Sequence, residues 1–160
     1  MNKLSRGILI TCSIFVLSFS SASWALPRAA VSFGQSLLDQ GALIFFKVNR
    51  NNIAGADFEV VVPGLCLYDD GEIAENTFSF GGGEFPDLLI RRNLKVEAEF
   101  EATSDTGHIG TFTIDCKFKK IDNKLKRARC EVNFSSPARG AEQLDSCSGG
   151  ATFTRILRGR

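Results

Sequence analysis

A strict alternation of apolar and polar side chains between residues 94 and 134 constrains the fold of this chain more than any other feature. In residues 94–102 every second side chain is apolar, and most of its neighbours are charged. The same period of two recurs in residues 109–119 and 125–134, and short polar loops separate the three segments. A period of two places alternate side chains on opposite faces of a β-strand. The pattern therefore predicts an antiparallel meander of three half-buried strands.

The rest of the chain also favours short strands separated by turn signals. The predicted strands are residues 43–48, 58–62, 65–68, 78–80, 88–90 and 151–157. Pro63 is expected to end the second of them, because proline cannot donate a backbone hydrogen bond. Residues 31–40 are compatible with one short N-terminal helix that ends before Gly41. Together these segments predict an all-β protein, an antiparallel β-sandwich or small barrel.

Residues 1–25 have the organisation of a secretory signal peptide. Two basic residues precede an apolar run at 7–19, and the small residues Ser23 and Ala25 fit the cleavage rule. We therefore predict a bacterial signal peptide that is cleaved after Ala25. The mature chain, residues 26–160, is then a single β-sandwich domain that is periplasmic or secreted.

Two other interpretations of the N-terminus were weighed against cleavage. A membrane anchor needs roughly 20 predominantly apolar residues, and the run at 7–19 is shorter. A lipoprotein needs a small residue before the modified cysteine, but Thr11 precedes Cys12. We therefore expect no transmembrane segment in the mature chain.

Four cysteines remain after cleavage: Cys66, Cys116, Cys130 and Cys147. An even number in an exported chain predicts two disulfides. When the second and third meander strands are paired about Asn123, Cys116 falls opposite Cys130 and every inward pair is apolar. This register predicts a Cys116–Cys130 disulfide, and it leaves Cys66 to pair with Cys147.

On the outer face, however, that register brings like charges together. It sets Asp115 against Glu131 and Lys117 against Arg129, and like charges that face each other across strands are destabilising. A slip of two residues would keep the apolar face inward and break the cysteine match. Four cysteines allow three connectivities, and the sequence leaves the other two open.

A basic cluster on the same hairpin is the one candidate anion-binding site. It consists of Lys117, Lys119, Arg127 and Arg129. Glutamates follow the neighbouring strand at Glu97, Glu99 and Glu101, so we expect Lys117 and Lys119 to pair with them. No aromatic side chain is interleaved on the basic face, so nucleic acid is not an expected partner.

The remaining chemically active residues form no catalytic set in the sequence. His108 is the only histidine and lies in a polar loop, so we expect a solvated side chain. A single histidine and four paired cysteines leave few ligands for a metal ion, and no cofactor is expected. The acidic segment 69–72 lacks the ligand spacing of a calcium loop and is predicted to be a solvated turn.

These observations predict an exported, non-enzymatic binding protein whose protein partner the sequence does not identify. One alternative is an inhibitor or host-directed effector that acts on an enzyme. Another is a hydrolase whose carboxylates cannot be picked out from the sequence. An exposed apolar patch would favour a binding protein, and a deep cleft with paired carboxylates would favour a hydrolase.

Overall fold

The computed structural model of the protein describes residues 30–81, 85–140 and 143–159, and the predicted signal peptide lies outside these ranges. The described strands pair antiparallel throughout, which confirms the predicted all-β fold. They are β1 (Val31–Leu37), β2 (Ala42–Val48), β3 (Asn52–Ile53), β4 (Phe58–Leu67), β5 (Ile73–Gly81), β6 (Leu88–Leu89), β7 (Lys95–Thr103), β8 (Ile109–Ile121), β9 (Lys124–Ser136) and β10 (Ser146–Arg158). Two short 3-10 helices are Leu38–Gln40 and Gly55–Asp57.

Eight of these strands form one strongly bent sheet in the order β5-β4-β2-β1-β10-β9-β8-β7. Strand β4 also pairs directly with β10, so the β1–β2 hairpin lies where these two strands separate. The bend produces a sandwich-like arrangement, in which β5-β4-β2-β1 faces β10-β9-β8-β7 across the core. The two remaining strands, β3 and β6, form a small separate sheet.

The predicted meander corresponds to β7, β8 and β9. Cys116 lies opposite Cys130, and Ile114, Phe112 and Phe118 lie opposite Val132, Phe134 and Ala128. The predicted register is therefore confirmed, including its like-charge pairs on the outer face. The hairpin turns at Asp122 and Asn123, whose φ values of 52° and 58° are those of a two-residue type I′ turn.

Phenylalanine rings fill the space between the two layers. Phe80 on β5 contacts Phe112 on β8 and Phe134 on β9, with ring centroids 5.0 and 4.8 Å apart. The alternation in the meander predicts that Phe100, Phe112, Ile114, Phe118 and Val132 face the core, and all of them except Phe100 are buried. Phe100 is only half-buried and packs at the margin of the core. Burial of these rings supplies much of the hydrophobic stabilisation of the fold.

The N-terminal segment differs from the short helix that its leucines and Gly41 had suggested. Residues 31–37 form a strand because Phe33 turns inward onto the core, where it is fully buried. Only residues 38–40 are helical, in a single 3-10 turn that ends at Gly41 in the left-handed region. In the described part of the chain we find no helix with the length and apolarity needed to cross a membrane.

Pro63 does not end its strand as expected, and β4 continues through it to Leu67. Residues 58–61 of β4 pair with β2, whereas residues 64–67 pair with β10. Pro63 lies between these two segments, where the partner of β4 on this edge changes from β2 to β10. A residue without a backbone N–H is tolerated at such an interruption in the ladder.

Both predicted disulfides, Cys66–Cys147 and Cys116–Cys130, are present and join directly opposed residues on neighbouring strands. The first lies between β4 and β10, beside Gly64, which faces Gly149. A Cβ atom on Gly64 would lie 2.3 Å from the Ser148 carbonyl oxygen and 2.6 Å from the ring of Phe78. Glycine is therefore required where the two layers meet at this disulfide.

Candidate functional site

The four basic residues of the predicted anion site lie together on the outer face of the β8–β9 hairpin. Lys117 faces Arg129 and Lys119 faces Arg127, and all four side chains are exposed. Lys95 of β7 lies opposite Lys117, so positive charge extends across three strands. Anion binding at this face stays a prediction.

In the described part of the chain no ion pair joins Lys117 or Lys119 to the glutamates of β7, although the positive charge of Lys117 contributes to lowering the pKa of Glu97. The observed register sets Glu97 opposite Asp115 and Lys117 opposite Lys95. Lys119 lies beyond the last residue that β7 pairs with. The sequence pattern fixed which face each side chain occupies but did not fix the register between β7 and β8.

Two of the three glutamates of β7 are instead paired with cations that the sequence did not suggest. The carboxylate of Glu97 lies 3.0 Å from Arg91 Nη1 and 3.2 Å from Lys95 Nζ, and that of Glu101 lies 3.0 Å from Arg139 Nη2. The hydrogen bond that Lys95 donates, with the positive charges around it, lowers the pKa of Glu97 below its usual range. Surface pairs of this kind are each worth only about 0–1 kcal/mol.

A row of carboxylates crosses the same outer face beside the basic row. Glu97, Asp115 and Glu131 lie opposite one another on β7, β8 and β9. With Glu99 they line an open depression of about 470 Å³. The general acid of a glycosidase needs a raised pKa, whereas the pKa of Glu97 is lowered. Glu97 is therefore not suited to act as a general acid.

His108 is not the solvated loop residue expected from the sequence. Its side chain is only 11% exposed, and its ring packs edge-on against Phe78. Thr106 Oγ1 lies 2.9 Å from its Nδ1, and Asp145 Oδ2 lies 3.2 Å from its Nε2. The sequence gives no sign of the Asp145 contact, because 37 residues separate the two.

The loop that carries His108 also bounds a cleft of about 550 Å³ beside β2, β4 and β5. Asp105 Oδ1 accepts a hydrogen bond from the Ser79 N–H, and its own N–H donates to the Ser79 carbonyl. This contact links the β7–β8 loop to β5. On the cleft wall Asp57 is bound to Lys47 at 2.8 Å, and the carboxylates of Glu59 and Asp105 also line the cleft.

Three large apolar side chains lie adjacent and exposed on the outer face of β4 and β5. Leu65 and Leu67 point outward on either side of the buried Cys66, and Ile73 lies directly opposite Leu67. Their exposed fractions are 51%, 46% and 65%. These three residues are named the Leu65–Ile73 patch. Sequence reasoning placed residues 65–68 on a strand but missed the patch, because Ile73 joins it only through the register of β4 and β5.

Carboxylates surround one end of the Leu65–Ile73 patch. The exposed acidic residues are Asp69, Asp70, Glu72 and Glu75. Glu75 lies opposite Leu65, and the others belong to the β4–β5 turn, where Asp70 Oδ1 accepts a hydrogen bond from the Glu72 N–H. The predicted acidic turn is therefore exposed and forms the rim of an apolar surface.

Two arrangements thus go beyond the sequence predictions: the Leu65–Ile73 patch and the contacts of His108. The first offers an apolar surface with an acidic rim, and the second joins a buried imidazole to a carboxylate. Neither follows from a local motif in the chain. No protein family, curated protein or solved structure matches this chain.

Proposed function

We propose that this chain is an exported, non-enzymatic binding protein that docks a protein partner on the Leu65–Ile73 patch. The observation that carries the proposal is the contiguity of the patch. Single exposed apolar residues are common on soluble proteins. Three neighbouring ones, on a regular sheet surface with charged residues beside them, are typical of an interaction site.

The charges around the patch indicate the chemistry of the partner. Protein interfaces combine an apolar centre with a polar rim, and complementary charges at the rim speed association. The rim here is acidic, at Asp69, Asp70, Glu72 and Glu75. We therefore infer a partner surface that has an apolar centre flanked by lysine or arginine. An enzyme with such a surface would make the chain an inhibitor or effector.

The patch can be tested with the double substitution Leu67→Asp and Ile73→Asp. Because the two aspartates face each other across β4 and β5, stability should fall by about 1 kcal/mol, and circular dichroism checks that the variant remains folded. Partner affinity should fall by about 2 kcal/mol, roughly thirtyfold in Kd, because charge replaces apolar contact at the centre of the interface. The partner is isolated from the exported fraction by cross-linking to the wild-type protein, and Kd is then measured for each variant.

A matched control is Leu89→Asp, which charges a leucine that is 66% exposed on the separate β3–β6 sheet. It should leave Kd unchanged. Equal loss in both variants would contradict a specific patch. Concentration-dependent dimerisation that the double substitution abolishes would contradict a foreign partner, because the occupant would then be a second copy of the chain.

The two disulfides support export, since such bonds persist in oxidising compartments. We propose that residues 1–25 are a cleaved bacterial signal peptide and that the mature chain is periplasmic or secreted. Intact-mass analysis of the exported protein should give a chain that begins at Leu26 and is four hydrogens lighter than its fully reduced form. A retained N-terminus, or a lipid on Cys12, would contradict this prediction.

A further inference from the structure

The Cys66–Cys147 disulfide and His108 form one compact cluster beneath the Leu65–Ile73 patch. The two sulfur atoms and an imidazole nitrogen all lie within 4.8 Å of one another. Both cysteines are buried, and the His108 side chain is 11% exposed. Asp145 Oδ2, 3.2 Å from His108 Nε2, adds a carboxylate at the side of the ring. Two sulfurs, an imidazole and a carboxylate are all common ligands of zinc.

The spacing of these atoms suits one metal ion once the disulfide is reduced. Tetrahedral zinc bonds of about 2.0–2.3 Å place two ligand atoms of the same ion roughly 3.3–3.8 Å apart. Asp145 Oδ2 lies 3.2 Å from His108 Nε2 but is not among the atoms that lie within 4.8 Å of one another, so it stays outside the ligand set. The two sulfurs are bonded to each other and reach this spacing only after the S–S bond breaks and they move apart.

We propose that reduction of the Cys66–Cys147 disulfide creates a site for one thiophilic divalent cation of the Zn²⁺ class. The protein ligands are the two thiolates and Nε2 of His108, and a water molecule completes the tetrahedron. A dithiol or phosphine reductant supplies two electrons, the S–S bond breaks, and each sulfur gains one proton. The cation then displaces both thiol protons to solvent and forms two metal–sulfur bonds without any further change of oxidation state.

The surroundings of His108 prepare it for this role. Metal-bound histidines usually donate their other ring N–H to an oxygen that fixes the ring orientation. Asp145 Oδ2, 3.2 Å from Nε2, accepts the ring N–H in the metal-free protein, so metal binding at Nε2 moves the ring proton to Nδ1, where Thr106 Oγ1, 2.9 Å away, accepts it. Ser104 Oγ lies 2.9 Å from Thr106 Oγ1 and holds the hydroxyl in place.

The strands keep the two thiols together without the disulfide. On either side of Cys66 and Cys147, residues 65 and 67 of β4 pair with residues 148 and 146 of β10. Paired cysteines leave few metal ligands in the oxidised chain, but the reduced chain has two more. Reduction therefore changes the same two residues from a covalent link into ligands.

The experiment titrates the reduced full chain with Co²⁺, which reports its ligands by colour. Every protein carries Cys12→Ser, and a phosphine keeps the thiols reduced. We expect one equivalent of Co²⁺ to give tetrahedral d–d bands and a sulfur-to-cobalt charge-transfer band, and Zn²⁺ to displace it. The oxidised protein should give neither band. His108→Ala should weaken binding by about 100-fold or more, and Thr106→Val by about tenfold.

Two cysteine-pair variants separate this site from unspecific thiol binding. Cys66→Ser with Cys147→Ser should remove the charge-transfer band, whereas the matched control Cys116→Ser with Cys130→Ser should retain it. Retention of the full affinity in His108→Ala, or loss of the band in the control pair, would overturn the proposal. This test does not depend on the proposed docking function.

The metal-site proposal can also be tested if reduction unfolds the protein. Metal binding by ligands that are ordered only in the folded chain is coupled to folding. If the reduced chain unfolds, Zn²⁺ should restore its β-sheet circular dichroism, and should fail to do so in His108→Ala. Absence of this recovery in the wild-type chain would overturn the proposal.

Discussion

Replacing Phe112 with alanine should lower the free energy of unfolding by about 3–5 kcal/mol. The ring is fully buried, and its centroid lies 5.0–5.3 Å from those of Phe80, Phe85 and Phe100. Truncation removes the transfer energy of the ring and leaves a cavity between the layers, which neighbouring rigid rings cannot easily fill. Urea denaturation, followed by circular dichroism, measures the loss.

Phe45→Ala is the matched control, since it makes the same change on the outer face of β2, where the ring is half-buried. Its loss of stability should be clearly smaller. A loss below about 1 kcal/mol for Phe112→Ala would show that this ring is not a core residue.

Removing the Cys66–Cys147 disulfide should destabilise the protein more than removing Cys116–Cys130. The two disulfides join cysteines that are 81 and 14 residues apart in the sequence, respectively. On the chain-entropy account, these loops correspond to about 4.5 and 3 kcal/mol of stabilisation. Both double-alanine variants are compared with the wild type by urea denaturation without reductant, and the surviving disulfide is verified by mass spectrometry.

The structure around each disulfide also predicts a larger loss of stability when Cys66–Cys147 is removed. Cys116–Cys130 lies within a hairpin that its own turn at Asp122 and Asn123 already closes. Cys66–Cys147 instead joins β4 to β10 at the end where the two layers meet. A larger loss for the Cys116–Cys130 pair would show that the unfolded chain already holds Cys66 near Cys147.

The meander could be predicted in detail because its determinants are local. A two-residue turn and a β-bulge between Lys119 and Lys120 together set the register of β8 and β9, and the apolar alternation determines which face is buried. The same reasoning failed for β7, since a longer loop at residues 103–108 connects it to β8. Like-charge pairs such as Asp115 with Glu131 did not displace the register, because the buried face and the disulfide stabilise it more strongly.

The candidate sites could not be predicted, because they depend on contacts between distant segments. Ile73 joins Leu67 only through the β4–β5 register, and His108 meets Asp145 across 37 residues. Pro63 illustrates the same limit in the fold: a strand can pass through a proline where its edge changes partner. The local sequence predicts most individual strands, but it does not determine which strands become neighbours in the sheet.

The position of β1 beside β10 determines how the fold carries a mechanical load. Phe33 lies opposite Arg158, and the Gly159 N–H donates to the Ser32 carbonyl, so residues 30 and 159 leave the sheet side by side. Tension applied at these two points therefore opens the β1–β10 ladder one hydrogen bond at a time, as a zipper opens. The peeling stops at the Cys66–Cys147 bond, which carries the force directly between the two strands. Residues 67–146, including the whole meander, then lie outside the part of the chain that carries the tension.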